Sequence, residues 1–248
     1  MANVKQITQY LNEELDINGI DDSSPNGLQV ENEGEINKIG FAVDASLETF
    51  QKAISSNCQM LIVHHGMIWN GLKYITNSNY KRIKYLIENN LSLYVAHLPL
   101  DMHNKYGNNA QLANLLKLDN LKAFGHHNGK AIGFMGEVNT TLENIKSLLQ
   151  SNGMKTKSLD FGPIEIKRIA IVSGGASNDT FQAIAAGVDL FITGESVHHI
   201  HHLAKENNIN VIFGGHYETE IWGVKALMPL LKEKFNVEVE FIDVPTII

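Results

Sequence analysis

The sequence predicts an α/β protein made of two similar α/β halves related by a diverged duplication, with metal-binding residues at the carboxyl ends of its strands. Three observations point there. From Ile36 onward, short apolar runs alternate with amphipathic stretches, as in βαβ units. Ser46, Thr49, Phe50 and Gln51 recur at one constant offset as Ser177, Thr180, Phe181 and Gln182, each group lying between two apolar runs. Histidines and carboxylates follow the apolar runs, where open α/β sheets bind their ligands.

The elements follow in order. Val4, Ile7, Leu11 and Leu15 recur at helical spacing and predict an opening amphipathic helix to about Asp16. A turn-rich stretch ends at Asn26-Gly27, before the apolar Leu28-Gln29-Val30. Strands are predicted at Ile39 to Val43, Met60 to Val63, Leu91 to Ala96, Ile132 to Phe134, Arg168 to Val172, Leu190 to Thr193, Val211 to Phe213 and Val237 to Ile242, with helices filling most intervals. Residues 123–157 read as glycine-broken strands around one helix, Leu142 to Gln150. This divides the chain into a first half, 1–122, with 123–157 as a connecting subdomain, and a second half, 158–248. The duplication offset lays Leu61 on Ile192 and the loop from His64 on the loop from Glu195.

The 248 residues are 44% hydrophobic and 19% charged, a globular composition. The lone Cys58 excludes an intrachain disulfide. Net charge is −7 with only two arginines, Arg82 and Arg168, which argues against a nucleic-acid partner. No apolar run approaches the ~20 residues that span a bilayer, and Met1-Ala2-Asn3 opens no basic-then-apolar leader, so no membrane partner and a cytoplasmic location are expected.

Three strand ends carry metal-ligand residue types: His64-His65, His97 with Asp101, and His216 with Glu220; a fourth carries Glu195. His97 and His216 are each followed four residues later by a carboxylate, one helical turn on and on the same face. Any single strand-end histidine is usually structural. Three such ends together are hard to explain without cations, because desolvating several carboxylates at once is costly. Five or six nitrogen and oxygen ligands exceed one tetrahedral Zn site and fit two divalent ions sharing a bridging group. With no thiolate present, Zn, Mn, Fe, Co and Ni all qualify. The charge surplus over Asp101 and Glu220 favours an anionic substrate.

The tract His198-His199-Ile200-His201-His202 offers His198 and His202 at a helical chelate spacing, yet a solvated face is the better reading. His126-His127 has no carboxylate at a suitable spacing. Trp69 and Trp222 follow the metal-loop segments and could wall the pocket, although core packing is the expected role of each. Gly174-Gly175 is a weak candidate for a phosphate-binding turn. No GxGxxG after a strand, P-loop or G-x-S-x-G elbow is present, and Cys58 sits at a helix end before a strand.

The segments Asn26-Gly27-Leu28-Gln29-Val30, Val63-His64-His65-Gly66, His97-Leu98-Pro99-Leu100-Asp101, Thr193-Gly194-Glu195 and Gly215-His216-Tyr217-Glu218-Thr219-Glu220 resemble, in order, the motifs of the YbgI-like family, also called GTP cyclohydrolase I type 2 homologues or NIF-three-like proteins. The resemblance spans essentially the whole chain, in the short form without an inserted domain. It implies two interlinked α/β domains and a dinuclear metal centre ligated by His64, His65, Asp101, His216 and Glu220, with His97 a sixth ligand or a group behind one. His202 matches a family position near the site. It further implies a ring-shaped homohexamer whose sites face an inner cavity. The expected function is a dinuclear metal-dependent hydrolase acting on a small anionic or nucleotide-like substrate, with Glu195 or His97 moving a proton or orienting a ligand. The alternative is a metal storage or delivery protein, or an oligomeric scaffold without catalysis.

Overall fold

The computed structural model describes residues 2–71 and 74–247. The chain forms two compact units, one of residues 1–100 and 223–244, the other of residues 101–222 and 245–248. Residues 101–122, assigned to the first half on sequence, group with the second unit, and the chain returns to the first unit at Gly223.

The first unit opens with β1 (Ala2–Asn3) and α1 (Val4–Glu14), followed by β2 (Gly27–Val30), β3 (Glu35–Ile36), β4 (Lys38–Asp44), α2 (Leu47–Ser55), β5 (Met60–His65), α3 (Asn77–Glu88), β6 (Ser92–Val95) and the single turn α4 (Leu98–Asp101), whose last residue begins the second unit. The second holds α5 (Asn108–Leu115), β7 (Asp119–His127), β8 (Lys130–Thr141), α6 (Leu142–Ser151), β9 (Lys157–Asp160), β10 (Glu165–Ile171), α7 (Thr180–Ala186), β11 (Leu190–Thr193), α8 (Ile200–Glu206) and β12 (Asn210–Phe213). Then α9 (His216–Phe235) belongs to the second unit up to Trp222 and to the first beyond it, and β13 (Glu238–Phe241) completes the first unit.

Local chemistry starts the helices. At α1, Asn3 accepts the Gln6 N–H while the Gln6 side chain accepts the Asn3 N–H, a reciprocal cap. Ser46 caps α2 by accepting the N–H of Thr49.

Both large sheets are mixed. In the first unit the order is β13-β4-β5-β6-β2, with β13, β4, β5 and β6 parallel and β2 antiparallel at the edge. In the second it is β7-β8-β10-β11-β12-β9, with β10, β11 and β12 parallel and the flanking strands antiparallel. Each unit thus contains three neighbouring parallel strands in chain order. Leu61, Val63, Leu93 and Val95 pack on Phe50 and Leu86 in the first core. Ile169, Ile171, Leu190, Ile192 and Ile212 pack on Ile145 and Leu149 in the second.

All eight predicted strands are present, with several differences at their ends. The His64-His65 pair does not follow its strand; it is the end of the strand. Register pairs Asp44 with His65, and the Ala45 N–H donates to the His65 carbonyl at 2.9 Å, so the ladder outlasts the apolar run. Gly66 is required by space rather than by a sharp turn: a Cβ there would stand 2.5 Å from the Gln29 amide nitrogen and 2.9 Å from Val95. In the histidine tract, α8 begins only at Ile200, so His198 and His202 do not share one helix. The connecting region is a long hairpin, β7–β8, that begins before residue 123.

Candidate metal centre

In the first unit, three imidazoles meet at the carboxyl ends of β5 and β6. One ring nitrogen from each of His64, His65 and His97 lies within 4.8 Å of the others. Ring centroids are 4.8 Å apart for His64 and His65, 5.1 Å for His64 and His97, and 5.5 Å for His65 and His97. Each ring is held from behind through Nδ1. His64 Nδ1 lies 2.9 Å from the Ala96 carbonyl oxygen, an acceptor only, so Nδ1 carries the proton and Nε2 the lone pair. His65 Nδ1 meets Asp44 Oδ1 at 2.8 Å, and His97 Nδ1 meets both Asp22 oxygens at 2.9 and 3.0 Å. A carbonyl or carboxylate behind Nδ1 is how metal-bound histidines are fixed in tautomer and orientation.

Asp22 is the hub of this half. Its side chain is 3% exposed and also accepts the Ser24 and Leu98 N–H groups and the Asn26 amide, at 3.0, 3.1 and 2.8 Å. Burial alone would raise its pKa, but His97, the Ser24 N–H and the Asn26 amide together hold the carboxyl well below the usual carboxylate range. Asn26 adds a second tie by accepting the His97 N–H at 2.7 Å. Trp69, expected in the core, is 41% exposed. Its ring sits edge-on to His97 at 5.1 Å and its Nε1–H donates to the Gly66 carbonyl.

The second unit repeats the device. His216 opens α9 just after β12, and Glu220 lies one turn along. His216 Nδ1 meets Glu195 Oε1 at 2.5 Å, and Nε2 meets Glu220 Oε2 at 3.1 Å. Burial pulls the imidazole pKa down, yet Glu220 and then Glu195 outweigh it and raise it to about 9. The Glu220 carboxylate, 4% exposed, is packed against Gly174, which follows β10 at φ +67°. A Cβ at Gly174 would collide with the Glu220 carboxylate and reach within 3.3 Å of His216 Nε2, so this Gly keeps the cradle open. Asp101 is 5% exposed, and its Oδ1 accepts from the Asn108 amide at 2.9 Å and the Ser173 hydroxyl at 3.1 Å.

The structure therefore brings together His64, His65 and His97 within the first unit, and Glu195, His216 and Glu220 within the second, with Asp101 on its own set of donors. Glu195 is a carrier of His216, as Asp44 is of His65. Sequence reasoning missed Asp22, Asp44, Asn108 and Ser173. Asp44 had a signal, being a carboxylate at the end of the strand beside β5. Asp22 had none, since the turn-rich stretch around it gives no period. Of the histidine tract, His199 Nε2 contacts the Asn178 side chain at 3.0 Å, and the His201 ring lies edge-on to Phe161 at 5.2 Å. Trp222 packs against the second core.

The donor set fits divalent metal: imidazoles with Nδ1 already engaged, and a buried carboxylate beside an imidazole nitrogen. Fold and donors together define an α/β protein of mixed sheets with histidine-rich and glutamate-bearing clusters able to hold metal ions. The chain belongs to the Duf34/NIF3 (NGG1p interacting factor 3) family, whose model matches residues 2–247. It is 43% identical over 244 residues to a GTP cyclohydrolase 1 type 2 homolog of Archaeoglobus fulgidus, covering 98% of this chain and 99% of that one. Identity to the homolog of Pyrococcus horikoshii is 46% over 245 residues, covering 97% and 98%. The solved structure of protein ybgI superposes with a TM-score of 0.91 at 34% identity, covering 99% of both chains. TTHA1606 from Thermus thermophilus gives 0.90 at 34%, covering both chains in full. Among the described residues, no helix is long and apolar enough to cross a membrane.

Proposed function

We propose that the protein is a dinuclear metal-dependent hydrolase of a small anionic, nucleotide-like substrate, with His64, His65, Asp101, His216 and Glu220 as ligands and His97 beside them. The observation that carries the metal reading is the engagement of Nδ1 in His64, His65 and His97 by Ala96, Asp44 and Asp22, which leaves Nε2 of each ring as the donor. Two divalent ions, when bound, supply Lewis acidity that lowers the pKa of water towards ~7. Asp44, Asp22 and Glu195 fix the rings of His65, His97 and His216, so no reorientation is needed when a substrate arrives. The name these relatives share, GTP cyclohydrolase 1 type 2 homolog, favours a purine nucleotide as the first substrate to try.

The test is metal analysis of the purified protein, then a turnover screen of GTP, other nucleotides and phosphoesters with Zn, Mn, Fe, Co or Ni restored. Two ions per chain, and hydrolysis lost in step with metal on chelation, are expected. A single ion at saturation refutes the dinuclear centre. Two ions with no turnover and rapid exchange to a chelator make the protein a metal carrier instead. We further propose, from the family resemblance, a homohexamer, which sedimentation tests directly.

A further inference from the structure

Within the second unit a cavity of about 480 Å³ opens beside Glu195, with Lys155, Lys157, Ser196, Phe213 and Glu218 on its walls. Its position follows from the sheet: β9 pairs antiparallel with β12, and the register sets Lys157 opposite Phe213, the last residue of β12 before the Gly214-Gly215-His216 turn. An edge strand thus places a lysine at the end of the strand that leads into His216. Lys155 and Lys157 are both solvent-exposed, and neither is ion-paired among the described residues. The lining also holds two carboxylates, Glu195 and Glu218, but among the described residues neither pairs with a lysine: Glu195 Oε1 is held by His216 Nδ1, which leaves both ammonium groups free to meet an anion.

We propose that Lys155 and Lys157 bind the phosphate chain of the substrate, an inference that rests on the hydrolase reading above. Two compact ammonium charges with rotatable donors suit phosphate oxygens, which accept from several directions. A single carboxylate would satisfy one of them. The cavity lies in the size range of small-molecule sites and exceeds what one phosphate group fills, which leaves room for the rest of a nucleotide against Phe213.

The experiment is calorimetric titration of sodium triphosphate and of GTP into the full chain, metal-free and Zn-loaded, with metal content measured on the same samples. Lys155→Ala/Lys157→Ala is expected to weaken both probes at least 10-fold with metal content and thermal stability unchanged. Lys155→Arg/Lys157→Arg should restore binding to within about 3-fold. Lys122→Ala/Lys130→Ala, on the exposed hairpin, should change nothing. Wild-type protein that binds neither probe, or an alanine pair that binds as wild type, overturns the proposal. The two readings fail separately. Triphosphate binding that needs the lysines in a protein taking up no metal removes the dinuclear centre and keeps the anion site. Two bound ions with lysine-independent binding does the reverse.

Discussion

Replacing Asp22 by Asn removes one charge and turns one acceptor into a donor, without changing size. In the native structure Oδ1 receives the Ser24 N–H at 3.0 Å and His97 Nδ1 at 2.9 Å, while Oδ2 receives the Asn26 amide at 2.8 Å and the Leu98 N–H at 3.1 Å. An asparagine that keeps its oxygen at the Oδ1 position sets its NH₂ against two donors. Two hydrogen bonds to a charged group are lost, each worth roughly 1.5–3 kcal/mol. Partial relaxation brings the expected loss of folding stability to about 3–5 kcal/mol. The freed His97 ring no longer has a fixed tautomer, and removing such a carrier typically lowers metal affinity ~10–100-fold. Urea unfolding of metal-free protein reads the first effect, and competition for Zn against a chelator of known affinity reads the second, under conditions where both forms are folded. Wild-type stability together with wild-type Zn affinity in Asp22→Asn would refute the assignment of Asp22 as the carrier of His97.

Gly174→Ala should cost roughly 1–2 kcal/mol from its left-handed backbone alone. Because its Cβ also displaces the Glu220 carboxylate, it should lose one ion per chain by native mass spectrometry; retention of both ions would place Glu220 outside the centre. In metal-free protein the raised pKa of His216, about 9, stabilises the fold below pH ~6.5. That contribution is lost as pH rises through 9, while metal affinity rises over the same window because binding displaces the proton. Glu195→Gln should lower the His216 midpoint in an NMR titration while the ring stays in place; an unchanged midpoint would exclude Glu195 as its partner. Burial raises the Cys58 thiol to about 11, so at pH 8 about one in a thousand is thiolate. Labelling by a disulfide reagent should therefore follow unfolding; fast native labelling would contradict the buried position. Replacing His198, His199 and His201 together by Gln should leave metal content unchanged, and loss of an ion would bring that tract into the site.

The α/β class, eight strands at or near their places, and the histidines that cluster at strand ends were legible from the amino-acid sequence. The physical reason is burial. Met60 to Val63, Leu190 to Ile192 and Val211 to Phe213 are covered on both faces, so their composition is continuously apolar and stands out without a partner in view. Strand ends rich in histidine are equally visible, since imidazole and carboxylate are rare where a sheet has just been apolar. Tertiary structure alone decided what remained. Edge strands such as β9 (Lys157–Asp160) are half-exposed and polar, and only pairing with β12 makes them strands. The carriers of the rings are as hidden: Asp22 meets His97 across 75 residues and Asp44 meets His65 across 21, distances over which no local period survives. A buried hydrogen bond depends on where two segments cross in space, and that crossing is set by the packing of whole sheets rather than by the residues next to either partner.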